Sequence, residues 1–320
     1  MRIFLLIIAV LIANLSVAFA QVDPLNSFGK GKEPLEIESD QGMELFQERQ
    51  LAIARGNVLV RQGKLVLRAD LVSASYRDVN GRRSIHRLDA VGNVRINTGK
   101  ERMFGEHATY DLERELFLLT GTEMRIEAEE QTVYANESIE YWGKDQRAVA
   151  RGEARAVQNK DNTTLRADVI EAQLAPKAPK PGAAALAPTQ VAKTPAASGG
   201  LVAGGIDPEQ LSLDALKAWG NVVITTANEV VRGDSGVYDA GNKVATLDGN
   251  VRITRGKNQL NGARAVIDLD KGVSRLIGQP GKRVRSIFYP GTETDNPPTP
   301  QQPRVVAKPI VPRPRPDGAQ

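Results

Sequence analysis

The chain has no cysteine and only two histidines among its 320 residues. The first absence removes disulfides, thiolate metal sites, a cysteine nucleophile and a lipidated N-terminal cysteine together. The second leaves little for a hydrolase of the serine type, which needs a histidine base beside its nucleophile. Aromatic residues make up only 5%, and the net charge is only +4, so bulk charge gives no argument for a nucleic-acid binder. No catalytic residue, metal site or cofactor is expected, and no nucleic-acid partner. Outside the first twenty residues there is no amphipathic pattern long enough for a helix of about twelve residues. "DPEQLSLDALKAW", from Asp207, reads as a loop leading into a strand.

The one long apolar run is at the start. Arg2 precedes an apolar stretch from Ile3 to Ala13, and Ala18-Phe19-Ala20 stands before Gln21. That is the pattern of a cleaved secretory signal peptide. Asn14 and Ser16 interrupt the run well short of the roughly 20 apolar residues a membrane span needs. Residues 1–20 are therefore expected to be removed, and the mature chain to reach a bacterial periplasm after a short lead, 21–34. Proline is concentrated in two places. Residues 175–205 hold five prolines and no acid, and residues 290–320 hold nine prolines. Neither segment can bury enough apolar surface to offset ordering entropy, so both are predicted to be disordered. The remaining blocks, 35–174 and 206–289, carry the fold.

Those blocks are repetitive. "AVGNVRINTGKERMFGEHATYD", Ala90 to Asp111, and "AWGNVVITTANEVVRGDSGVYD", Ala218 to Asp239, align without gaps and share ten of twenty-two residues. Gly56, Gly92, Gly121, Gly152, Gly220 and Gly249 mark frames roughly thirty residues apart, except where the Pro/Ala segment is spliced in. Four of these glycines are followed thirteen places on by Gly105, Tyr134, Gly233 and Gly262, and the glycines at this place are expected at a bulge or close backbone approach. After the glycines come β-like runs in which Val58 and Val60, Val94 and Ile96, Val222 and Ile224, and Val251 and Ile253 alternate with other residues. Period two over β-branched residues predicts strands with one buried face. Leu65 and Leu67 continue the pattern after the turn at Gln62-Gly63-Lys64. A lone hairpin is marginal in water, whereas stacked hairpins bury a continuous seam. One all-β array of stacked hairpins is expected, with pairing-competent edges near Leu35–Ser39 and Val284–Tyr289.

The stretch "IESDQGMELFQERQLAIARGNVLVRQGKLVLRADLVSASY", Ile37 to Tyr76, resembles the start of the LptA/OstA family of periplasmic lipopolysaccharide transport proteins. An apolar strand is followed by "A-x-G-N-V-x-V", a Gly turn, "L-x-A-D" at Leu67 to Asp70 and a tyrosine. The resemblance implies an open, twisted β-jellyroll whose interior holds the acyl chains of lipid A. It implies outer-membrane assembly as the setting, and a bridge built head-to-tail through edge strands. It also implies partners in inner-membrane LptC-like and outer-membrane LptD-like jellyrolls. On this reading the lipid-binding residues are Val58, Val60, Leu65, Leu67, Val94, Ile96, Val222, Ile224, Val251 and Ile253.

Plainer readings stand beside it. Alternating apolar residues also build a sealed sandwich of purely structural use, and a β-solenoid enzyme acting on polysaccharide is the remaining enzymatic alternative. Asp111, Glu140, Asp239 and Asp268 follow strand-like runs and read as solvated or turn-capping. His107 stands where other frames have Ser235 and Arg264, and His86 matches no repeat, so the pair is not a repeated ligand. Lys282-Arg283-Val284-Arg285 reads as a charged edge strand.

Overall fold

A computed structural model describes residues 34–79, 81–176, 211–279, 281, 283–287 and 289. The expected signal peptide, most of the lead, most of the Pro/Ala insert, the Pro-rich tail and Lys282 lie outside the described residues.

The chain is all-β. Two short strands open it, β1 (Glu36–Glu38) and β2 (Met43–Phe46). Four long ones follow: β3 (Leu51–Gln62), β4 (Leu65–Val79), β5 (Arg82–Asn97) and β6 (Arg102–Asp111). Next come four short strands, β7 (Leu116–Thr120), β8 (Met124–Glu127), β9 (Gln131–Ala135) and β10 (Ser138–Trp142). Then come β11 (Arg147–Gln158), β12 (Thr164–Pro176), β13 (Leu211–Thr225), β14 (Val230–Asp239), β15 (Val244–Arg255) and β16 (Asn258–Asp268). The last two are β17 (Val273–Ile277) and β18 (Arg285–Ile287).

All pairing is antiparallel, and each long strand pairs with its neighbours in sequence. The short strands lie end to end in pairs. β1 and β2 both pair with β3, β7 and β8 with β6, β9 and β10 with β11, and β17 and β18 with β16. Ten long strands and four such pairs make a stack of fourteen rungs. β12 runs through Ala175 and Pro176, and Pro176 faces Leu211, so the two strands flanking the insert are direct partners.

Each rung bends once near its middle. In β3, β5, β13 and β15 the pairing register breaks at Gly-Asn. By its sequence pattern this dipeptide is expected before a strand. Here it lies within one, because two successive left-handed residues form a bulge that re-aims the strand without ending it. Gly92 and Asn93, for instance, have φ of 81° and 48°. Only glycine fits the first place: a Cβ on Gly92 would stand 2.2 Å from Asp70 Oδ2, and one on Gly220 2.1 Å from Asp168 Oδ2. The asparagine amides donate to the same acids, Asn93 to Asp70 at 2.8 Å and Asn250 to Asp234 at 2.9 Å. Asn57 donates likewise to Asp40. The repeated sequence is therefore a repeated corner.

The bend divides the stack into two leaves. The front leaf holds the half-strands that follow Gly-Asn, such as Val58–Gln62, and their hairpin partners, such as Leu65–Ala69. The rear leaf holds the other halves, such as Leu51–Arg55 and Leu71–Ser75. Inward side chains of both leaves join in a single buried core. At Gly105 and Gly233, close approach is real: an added Cβ would meet Leu119 at 2.7 Å and Leu247 at 2.6 Å. Among the described residues the sheet does not close on itself: β1 and β2 have no partner beyond β3, and β17 and β18 none beyond β16. The fold is an open β-jellyroll built from repeated hairpins.

Candidate functional site: the interior slot

The period-two reading fixes one wall of the interior. Val58, Val60, Leu65, Leu67, Val94, Ile96, Val222, Ile224, Val251 and Ile253 are all buried, none more than 6% exposed. All ten lie on the front leaf and belong to one core cluster. The facing wall comes from the rear leaf: Leu88, Ala90, Ala108, Tyr110, Phe117 and Leu119, with Tyr238 further along. Tyr110 and Tyr238 occupy the same place in the two echoing stretches, so a signal for this wall existed in the repeat.

The walls nearly touch. Leu65, Leu67 and Ile96 face Leu88, Ala90, Tyr110 and Phe117 across an apolar cavity of about 30 Å³. That is room for about two waters, far below what an alkyl chain occupies. The slot is a seam that an occupant must part.

Its front margin is polar. The alternation that buries Val94 and Ile96 carries on into the hairpin turns, where the next inward places are hydrophilic. Glu101 and Gln131 are 1% exposed, Glu229 2%, and Gln158 9%. Both carboxylate oxygens of Glu101 and Glu229 lack a hydrogen bond, as do both amide atoms of Gln131 and Gln158 Oε1. Arg255 approaches Glu229 at 3.8 Å. The two acidic turns are built alike. Thr98 Oγ1 accepts from Glu101 N at 3.1 Å, and Thr226 Oγ1 accepts from Glu229 N at 3.0 Å. Burial pushes the Glu101 carboxyl up to about 8, against a small opposing pull from Lys100. Burial also raises Glu229, opposed by Arg255. This margin is not legible in the sequence, because a hydrophilic turn residue is ordinarily exposed.

The four repeated acids behave as turn and surface groups. Asp111 accepts from Arg114 N, Asp239 from Asn242 N and Asp268 from Lys271 N. Glu140 lies outward on the rear leaf, accepting from Ser138, Trp142 and Arg151. His107 is exposed on the outer face of the rear leaf, while His86 Nδ1 is buried without a hydrogen bond.

Fold and interior together define a class: an open β-jellyroll with a carbon-walled slot and one polar margin. The family model for the LptA/(LptD N-terminal domain) LPS transport protein matches twice, over residues 36–147 and 136–273. The chain belongs to this family, and it holds the family unit in two overlapping, consecutive copies. Among solved structures it is similar to LptH of Pseudomonas aeruginosa, the LptA homologous periplasmic component of that organism's lipopolysaccharide transport device. The two share 21% identity over 39% of this chain and 86% of the other, with a TM-score of 0.33. No curated protein matches the chain.

Proposed function

We propose that the mature chain is a periplasmic carrier in lipopolysaccharide transport, and that the slot shelters the acyl chains of lipid A. One observation carries this reading: a family unit whose interior is walled with carbon on both leaves and bordered by polar groups on one margin. That is the layout an amphiphile needs, with tails between the leaves and polar head at the margin. Burying one methylene is worth about 0.8 kcal/mol, so a chain of twelve carbons gains several kcal/mol even if partly sheltered. No bond is made or broken. Successive rungs offer near-equivalent sites, so a lipid meets no deep trap as it moves along the stack.

The free edges support assembly. Of the nine large apolar side chains exposed among the described residues, Met43 and Leu45 stand on β2, Val273 and Ile277 on β17, and Val284 and Tyr289 flank β18. Each outer rung thus combines unpaired backbone with apolar side chains, a template for another chain. We place a further copy there, or a jellyroll of the LptC or LptD kind.

Photo-crosslinking tests the slot. A crosslinker at Val60 or Ile224 should capture lipopolysaccharide in the mature protein, and one at Leu59 or Val223, on the outer face, should not. The tightness of the interior favours the sealed structural sandwich as a second reading. Capture at neither inward position, with the protein folded, would decide for that alternative.

A further inference from the structure

The outer face of the front leaf carries a line of arginines that neither the slot nor the edges use. Cross-strand register places one residue per rung in a row across the stack. Arg68 faces Arg95 on β5, Arg155 faces Arg166 on β12, and Arg232 faces Arg252 on β15. Between these pairs the row passes through Phe104, Arg125 and Tyr134, then through Val223, and it ends through Asn261 at Arg285. The only acid in it is Glu38, beyond Leu59 at the far end. At about 4.8 Å per strand, the arginines cover about 50 Å. Among the described residues the rear leaf has no such line: in its outer rows Arg151, Lys217 and Arg264 are each bound to an acid, whereas in the front row Arg125 pairs with Glu127 and the facing arginine pairs do not.

The stripe is not there for stability. Like charges directly opposite across a strand pair are destabilising, and the row contains three such Arg–Arg pairs. Arg68, Arg95, Arg166, Arg232 and Arg252 are exposed, and among the described residues none of them forms an ion pair. The acids nearest along the strands, Asp70, Asp168 and Asp234, stand two residues away at the corners, where they accept from Asn93, Asn221 and Asn250 and, among the described residues, form no ion pair with the row. A cleft of about 670 Å³ lies over the middle of the row, where Arg125, Tyr134, Arg155, Arg166 and Val223 form one side and the corner residues Glu123, Asn136, Glu153, Asp168 and Asn221 the other.

We propose that this stripe is a docking track for a linear anionic glycan, a saccharide chain bearing phosphate or carboxylate groups. Guanidinium forks suit both anions. Arg125 lies over the Phe104 ring at 3.8 Å and Arg155 over the Tyr134 ring at 4.0 Å, which makes flat platforms for a sugar ring. A planar membrane fits badly. Adjacent strands turn by about 20°, so the stripe winds through more than half a turn and only a flexible chain can follow it. Nucleic acid would need open aromatic faces for base stacking, and these two are already covered. An acidic peptide would gain no backbone pairing, since the row crosses interior strands whose ladders are complete.

The test uses the mature protein with two probes, polygalacturonate and the deacylated, phosphorylated oligosaccharide of lipopolysaccharide. Binding to either supports the track and tells a carboxylated source from a phosphorylated one. Affinity should fall steeply with salt. The variant Arg95→Ser/Arg166→Ser/Arg232→Ser/Arg252→Ser should bind at least tenfold more weakly, with an unchanged or higher melting temperature. Arg151→Ser/Lys217→Ser/Arg264→Ser/Arg275→Ser, which removes equal charge from the rear leaf, should bind as the parent does. The proposal is overturned if neither glycan binds, or if both variants lose affinity alike. It is equally overturned if polyglutamate or phosphatidylglycerol vesicles bind more tightly than either glycan.

Discussion

At Gly92 a single added carbon distinguishes a corner from an ordinary turn. Gly92→Ala forces Asp70 to swing away and give up its bond from Asn93, on top of the cost of a left-handed alanine. A loss of about 3 kcal/mol is expected. Gly81 has a similar φ of 75°, but nothing lies within 4 Å of an added Cβ. Gly81→Ala should therefore cost only about 1–2 kcal/mol, and urea titration of the two variants separates close approach from backbone strain. Glu101 gives a prediction in pH. Its folded pKa of about 8 lies above the ordinary 4.5. In that window the folded state holds a proton that the unfolded state has lost, so this group lowers stability as pH rises and is neutral below 4.5. Each unit of the shift is worth about 1.4 kcal/mol. Glu101→Gln should leave the melting temperature nearly unchanged at pH 4.5 and raise it progressively towards pH 8. A constant difference between the two proteins at every pH would show that the carboxyl is hydrated. The ten inward front-leaf residues are legible in the sequence because period two is a local property. The role of Glu101 and Glu229 is not, because their burial depends on a rear leaf that no local pattern announces.

Among the elements, the pairing of β12 with β13 is the one that the sequence obscures most. Thirty-four residues, 177–210, separate two strands that face each other from Thr164↔Thr225 to Pro176↔Leu211. Loop closure costs only about 0.6 kcal/mol per doubling of length. If the segment serves only as a connection, replacing residues 178–209 with a six-residue Gly/Ser turn should raise stability by about 1 kcal/mol and leave lipid capture intact. A fall in melting temperature of several degrees would give the segment a structural role. The repeat itself was readable: the offset that carries Ala90 onto Ala218 also carries β6 onto β14 and the β7–β8 pair onto β15. What could not be read is where strands end. Gly-Asn has the chemistry of a chain reversal, yet in β3, β5, β13 and β15 the chain bends and runs on. At Gly121, by contrast, the rung breaks into β7 and β8. Partner strands settle which outcome holds.

At the scale of the molecule, the proposed assembly rests on the two outer rungs. Pairing the last rung of one copy with the first of the next is a heterologous contact, which grows in one direction unless it closes. The mature protein should sediment as a concentration-dependent series. Met43→Lys/Leu45→Lys, charging the β2 edge, should return it to monomer without altering the interior. A strict monomer over a hundredfold concentration range would remove self-assembly and leave a shuttle. An array of stacked hairpins with edges near both ends could be inferred from the repeats. The division into leaves, which sets the arginine row apart from the acid-bound charges of the other face, needs the corner in three dimensions.

The double family match has a consequence for reach. A protein holding one unit must find a second by diffusion, and that joint opens on dilution. Here the first unit passes into the second through β9 and β10 against β11, with the ladder unbroken and the peptide chain running through it. The junction cannot dissociate at any concentration. Fourteen rungs at about 4.8 Å span about 60 Å, and in a long head-to-tail assembly of such chains about every second joint between units would be covalent.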